Sequence, residues 1–131
     1  MTPNITIALR SVVFDCPKPE DLGRFYAALM GARLAVVDAE WCEVRFDDSS
    51  FKLAFQRVEQ YVQPQWPDGS PQQLHLDLTV SDLAVASLSA VALGAIVLSE
   101  RIDEDNSVFM VHADQDDHPF CLCQETEGII D

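Results

Sequence analysis

The stretch Gln73-Leu-His-Leu-Asp-Leu-Thr-Val-Ser-Asp-Leu83 holds two structural signals back to back. Leu74, Leu76, Leu78 and Val80 take every second position, with His75, Asp77 and Thr79 between them. That alternation is a strand with one apolar and one polar face, and it predicts a strand over 74–80. Asp82 then stands where a helix N-cap belongs, because its carboxylate can accept a backbone N–H of the first turn. Leu83, Ala86, Leu88 and Val91 supply apolar positions as far as about Leu93, and Gly94 ends the helix. Downstream the pattern predicts strands over 95–99, 108–113 and 120–124. Acidic turns separate them at 103–106 and 114–118.

The same order stands upstream. A β-branched run predicts a strand over 5–16, and a Pro-rich turn follows. A helix over Pro19 to Met30 carries Leu22, Phe25, Tyr26 and Leu29 on one stripe and stops at Gly31. Strands are predicted over 33–37, 41–46 and 51–57, with a hairpin turn at Asp47 to Ser50. Gly31-Ala-Arg-Leu34 matches Gly94-Ala-Ile-Val97. Asp47-Asp-Ser-Ser-Phe-Lys-Leu53 matches Asp116-Asp-His-Pro-Phe-Cys-Leu122, and Ser11 matches His75. The offsets are 63, 69 and 64 residues. This is a repeat of one strand, one helix and three strands. The expected architecture is therefore α+β, a single domain over 1–131. It contains two βαβββ modules, about 1–58 and 74–131, joined by an irregular connection over 59–73 that holds Pro64, Pro67, Gly69 and Pro71. One such module buries only one face. Two of them pair into a curved mixed sheet with helices outside and a cleft inside.

Composition narrows the function classes. Asp and Glu number 22 against 8 Lys and Arg, a formal net charge of -14. Phosphate backbones and anionic membrane surfaces need a basic face, so nucleic acid and membrane partners are disfavoured. An apolar share of 48% is enough for a core and argues against intrinsic disorder. The start of the chain lacks the basic and long apolar segments of a signal peptide, and no run approaches the roughly 18 apolar residues of a membrane helix. Cys16, Cys42, Cys121 and Cys123 form no Cys-x-x-Cys pair. They are expected as reduced thiols in a cytoplasmic protein.

Period-two alternation assigns faces to the predicted strands. Ser11, Asp15, Trp41, Glu43, Arg45, Lys52, Gln56, His75, Asp77, Thr79, Cys121 and Cys123 fall on the cleft side. The 108–113 strand is ambiguous, since both its faces are apolar. The resulting cleft is nearly balanced in charge and suits a small polar or aromatic ligand held by a few placed hydrogen bonds. It equally suits a self-satisfied network of Glu43, Arg45, Lys52 and Asp77. His75, with Asp77 on the same face, is the candidate general acid/base. His112 and His118 sit near turns and are expected in surface or turn roles, and the acidic groups at 103–105 and 114–117 as solvated loops.

Three segments carry a family resemblance. They are Asp21-Leu-Gly-Arg-Phe-Tyr-Ala-Ala-Leu-Met-Gly31, Gln73 to Leu83, and Ala113-Asp-Gln-Asp-Asp-His-Pro-Phe-Cys-Leu122. With Leu53-Ala-Phe-Gln-Arg-Val58 and Gln65-Trp-Pro67, the chain resembles the glyoxalase, bleomycin-resistance and extradiol-dioxygenase (vicinal oxygen chelate) superfamily. Within it, the bacterial glyoxalase-like subgroup is the nearest match. The resemblance implies paired βαβββ modules and a homodimer. It also implies metal ligands, in metal-dependent members, at positions that here hold Ser11, His75, Lys52 and Cys121. Of these only His75 suits a divalent ion. The expectation is binding of a small molecule without metal or other cofactor, in the manner of the bleomycin-resistance members. The alternatives are a lyase or isomerase using a divalent metal or His75, and an interaction module without chemistry.

Overall fold

A computed structural model describes residues 9–104 and 107–125. The first half contains β1 (Ser11–Cys16), α1 (Pro19–Met30), β2 (Arg33–Asp38), β3 (Trp41–Arg45) and β4 (Lys52–Arg57). The second contains β5 (Leu76–Thr79), α2 (Leu83–Ala92), β6 (Ile96–Val97), β7 (Ile102–Glu104), β8 (Ser107–Ala113) and β9 (Pro119–Glu125). The expected first strand begins at residue 5, and residues 5–8 lie outside the described range. The acidic turn expected at 103–106 is partly strand: β7 pairs with β8 through Ile102, Asp103 and Glu104, while 105 and 106 are outside the described residues.

Each half builds its own sheet, in the orders β1-β4-β3-β2 and β5-β9-β8-β6, with β7 also on β8. In both, the first strand pairs in parallel with the last, β1 with β4 and β5 with β9, and every other pair is antiparallel. The repeat read in the residues is thus a repeat in topology.

The helices form where the local chemistry sets them. Pro19 opens α1, Gly31 closes it at φ 64, a conformation that suits glycine, and Leu22, Phe25 and Tyr26 are buried. Asp82 caps α2, its Oδ1 accepting from the Val85 N–H at 3.1 Å. Only part of α2's expected stripe is buried. Leu83, Ser87 and Ala90 face inward, whereas Leu88 is 73% exposed and Val91 44%. The helix packs through its small residues and leaves its larger ones outside.

The two halves meet around a buried polar cluster. The Tyr26 hydroxyl, from α1, donates to Asp114 Oδ2 at 2.7 Å. Asp114 Oδ1 accepts from the backbone N–H groups of Asp116 and His118 at 2.8 and 3.0 Å. His118 places Nδ1 2.9 Å from Asp114 Oδ2 and Nε2 2.9 Å from the Asp15 carbonyl oxygen in β1. Both ring nitrogens of His118 therefore have oxygen partners. Tyr61, from the connection, donates its hydroxyl to the Asp116 carbonyl at 2.7 Å and touches His118 Nε2 at 3.0 Å. Around this cluster Phe14, Phe25, Tyr26, Phe55 and Phe120 stack and tilt at 4.9–6.1 Å between ring centres.

Two expectations are corrected here. His118 and Asp114, expected on a solvated turn, are both 0% exposed. The turn folds inward because Asp114 satisfies its N–H groups while His118 and Tyr26 supply the donors a buried carboxylate needs. His112 is also buried. Its Nε2 lies 2.8 Å from Ser87 Oγ and its ring stacks on Phe120 at 5.4 Å. Burial lowers its pKa and favours the neutral ring.

The cluster makes two outcomes measurable. His118→Ala leaves a buried oxygen of Asp114 without its ring donor and is expected to cost about 3 kcal/mol in chemical denaturation. A loss under about 1 kcal/mol would show that the pair does not hold the halves together. Asp116 has a buried Oδ2 with no hydrogen-bond partner among the described residues. Its pKa is raised to about 6, by burial first and the Asp114 charge second. The folded state therefore binds this proton more tightly, and the associated stability is lost as pH rises through about 6. Asp116→Asn removes that loss. Its melting temperature relative to the parent chain should climb between about pH 4.5 and about pH 7.5, and a flat difference would refute the assignment.

Candidate small-molecule site

The twelve residues assigned to the cleft side fall into separate groups. On the first sheet Glu43 is the centre. Its register neighbours are Ala35 and Ala54, whose small side chains leave room above the strand for longer groups to converge. Glu43 Oε2 accepts from Trp41 Nε1 at 2.9 Å, and Oε1 accepts from Arg45 Nη2 at 2.7 Å and Nε at 3.0 Å. Lys52 Nζ stands 3.7 Å away. The Trp41 and Arg45 hydrogen bonds hold the Glu43 carboxyl below its ordinary pKa, against the opposing effect of burial. With Glu43 only 8% exposed, this group is closed on itself. It is the self-satisfied network anticipated from the sequence, but without Asp77. Gln56, at the far end of β4, donates instead to Asp15 Oδ1 at 3.0 Å.

On the second sheet, His75, Asp77, Cys121 and Cys123 border one cavity of about 340 Å³. His75 Nε2 lies 3.5 Å from Asp77 Oδ1, and both side chains are open to solvent. Cys121 is the register partner of Asp77 across β5 and β9. Burial first, then the neighbouring Asp77 charge, pushes the Cys121 thiol up to about 12 and raises Cys123 in the same direction. These are neutral thiols and poor nucleophiles. Among the described residues no hydrogen bond or ion pair joins this group to Glu43, Arg45 or Lys52.

Glu104, Ser107 and Phe109 complete the wall, and sequence reading did not find them. Phe109 lies on β8, whose two faces are both apolar. Its pairing with Cys123 shows which way it looks, and that register is not visible in the composition of the strand. Glu104 was hidden in what reads as an acidic turn. A cavity of about 400 Å³ lies near the ends of the two helices, bordered by Leu29, Met30, Val80 and Ala86. It is larger, but of the candidate residues only Asp77 and Thr79 border it. The 340 Å³ cavity is where the candidate polar groups converge.

The four positions that the family resemblance points to for a metal do not fit one. Ser11 is a weak ligand, and Lys52 is a cation held beside Glu43. Cys121 is held as the thiol. Among the described residues no three His, Cys, Asp or Glu side chains form a group that could hold an ion. Also among the described residues, no helix is long and apolar enough to cross a membrane.

Comparison with known proteins agrees with the topology. The structure resembles a glyoxalase family protein from Bacillus cereus (TM-score 0.73, 13% identity, 96% of this chain and 99% of that one). It also resembles a glyoxalase/bleomycin resistance protein/dioxygenase family enzyme from Burkholderia phytofirmans (TM-score 0.72, 12% identity, 91% and 99%). A glyoxalase/bleomycin resistance protein/dioxygenase from Nocardioides is similar as well (TM-score 0.68, 12% identity, 97% and 89%). At such identities the likeness concerns the fold. No curated protein matches the sequence. The model of the glyoxalase-like domain matches residues 11–123, and the chain belongs to the glyoxalase-like domain family.

Proposed function

We propose that this protein binds a small polar or aromatic molecule, without a metal ion, in the 340 Å³ cavity bordered by His75, Asp77 and Cys121. One observation carries the proposal. The polar groups of the first sheet are spent on Glu43, whereas His75 and Asp77 remain open to solvent beside an aromatic wall, Phe109. A cavity with a few placed polar groups and an aromatic face is the usual form of a small-molecule site. Trp41, Glu43, Arg45, Lys52 and Gln56 then brace β3 and β4 and do not contact the ligand. A second reading is supported by the His75–Asp77 pair: a carboxylate beside an exposed imidazole is an arrangement that serves general acid/base chemistry on a bound substrate.

The remaining parts of the proposal concern organisation. The two halves act as one domain in a cytoplasmic protein that works as a homodimer. The dimer reading rests on the surface of α2 and β6. From Leu83 to Ser99 no residue is charged, in a chain of net charge -14. Val85, Leu88, Val91, Leu93, Ile96 and Val97 are all exposed along that run. Two strongly acidic copies repel each other except where charge is missing, and β6 is the outer strand of its sheet.

The ligand proposal is tested by a thermal-shift screen of metal-chelated protein against a collection of polar and aromatic metabolites. At least one compound should raise the melting temperature by several degrees at saturation, and Asp77→Ala should abolish that gain. No shift with any compound counts against the cavity. A tight divalent ion, one per chain and lost on His75→Ala, would overturn the metal-free reading. For the dimer, Leu88→Glu should convert the species seen by sedimentation to a monomer. A parent chain that is already monomeric at about 100 μM refutes this interface.

A further inference from the structure

We infer that the molecule held in this cavity is a small organic cation, an amine or quaternary ammonium carrying an aromatic or compact apolar group. This rests on the reading that the cavity is a ligand site. The sequence suggests a cleft with both signs of charge in near balance. The structure separates them. Arg45 and Lys52 stay with Glu43 on the first sheet. Around the cavity, among the described residues, stand two carboxylates, Asp77 and Glu104, and no lysine or arginine. The arginine closest along the chain, Arg101, is paired with Asp103 at 3.2 Å. Asp103 and Glu104 are adjacent in β7 and so point to opposite faces, which leaves Glu104 to the cavity.

An anion entering here would meet two carboxylates and, among the described lining residues, no lysine or arginine. A cation gains on both counts. Phe109 adds a ring face, which attracts an ammonium or guanidinium group. Ser107 can accept a hydrogen bond from an N–H group. Cys121 and Cys123, kept as thiols, offer a soft, uncharged wall suited to methyl or ring carbons. The net charge of -14 acts in the same direction at long range, drawing cations to the surface and repelling anions.

The test uses four single-ring probes of similar shape: benzylamine, benzyltrimethylammonium, benzyl alcohol and benzoate. Each is titrated into the full ¹⁵N-labelled chain at low salt, and backbone amide shifts are followed at 75–77, 107–109 and 121–123. Both ammonium probes should shift these amides saturably, at least tenfold more tightly than the alcohol or benzoate. Asp77→Asn should weaken them tenfold or more, and Glu104→Gln several-fold, with the spectrum otherwise that of the parent fold. Raising the salt to about 0.5 M should weaken the ammonium probes and leave the alcohol unaffected. Equal binding of alcohol and amine, or benzoate binding that survives Asp77→Asn, overturns the cation inference while the cavity stands as a ligand site. Silence of these amides to all four probes also overturns it. Only silence in the wider metabolite screen as well removes the cavity reading.

Discussion

The fold turns on one buried hydrogen-bonded pair, the Asp114 carboxyl and the His118 ring. Asp114 and His118 have no access to water, and a carboxylate in that position is tolerated only when donors surround it. The donors come from both halves of the chain: two backbone N–H groups of the Asp114–His118 turn, the His118 ring, and the Tyr26 hydroxyl on α1. His118 in turn needs the Asp15 carbonyl of β1. The relative placement of the halves is therefore set by a polar requirement as well as by the Phe14, Tyr26 and Phe120 packing around it. Among the described residues no backbone ladder joins the two sheets. Without this cluster, the two halves would be held by aromatic contacts that are far less directional.

The same requirement decides which part of the cleft side can act. Glu43 is satisfied by Trp41, Arg45 and Lys52, so opening it to a ligand would mean breaking contacts already made. Asp77 has no comparable set of donors. Its contacts are a 3.5 Å approach to His75 and the Cys121 thiol. The chemistry available to the cavity thus lies with the second sheet alone. The first sheet's central carboxylate is closed in this way, and the second sheet's is left open.

Much of the fold was legible in the sequence because local rules set it. The bounds of α1 are marked by Pro19 and Gly31, and the N-cap of α2 by Asp82. The repeat in residues gave the repeat in topology, and alternation correctly assigned Leu76, Leu78, Phe120 and Leu122 to the core. What escaped depends on long-range register and on partners distant in sequence. His118 reads as a turn residue, since nothing near it in the chain shows that Asp15, at a separation of 103 residues, will accept its Nε2 proton. Phe109 could not be placed because β8 is apolar on both faces, and only its pairing with β9 breaks the tie. His75, Asp77 and Cys121 were assigned to one face together with Arg45 and Lys52. Their separation from those two was not anticipated, because alternation assigns a face and says nothing of distance along it.

The acidity of the chain therefore has no single meaning. Asp114 is acidic and buried, and it serves as a structural acceptor because its donors are complete. Glu43 is acidic and nearly buried, held ionised by its hydrogen bonds. Asp116 is buried with an oxygen unpaired, and its proton is held more tightly for that reason. Asp77 is open, and so is Glu104. Ranking these carboxylates by how far their hydrogen-bonding capacity is already used separates scaffold from site. A group whose donors are complete gains little from a ligand, while an open carboxylate beside a cavity gains a full charge-assisted contact. On that ordering Asp77 and Glu104, carboxylates on the cavity wall, are the ones with hydrogen-bonding capacity still to use.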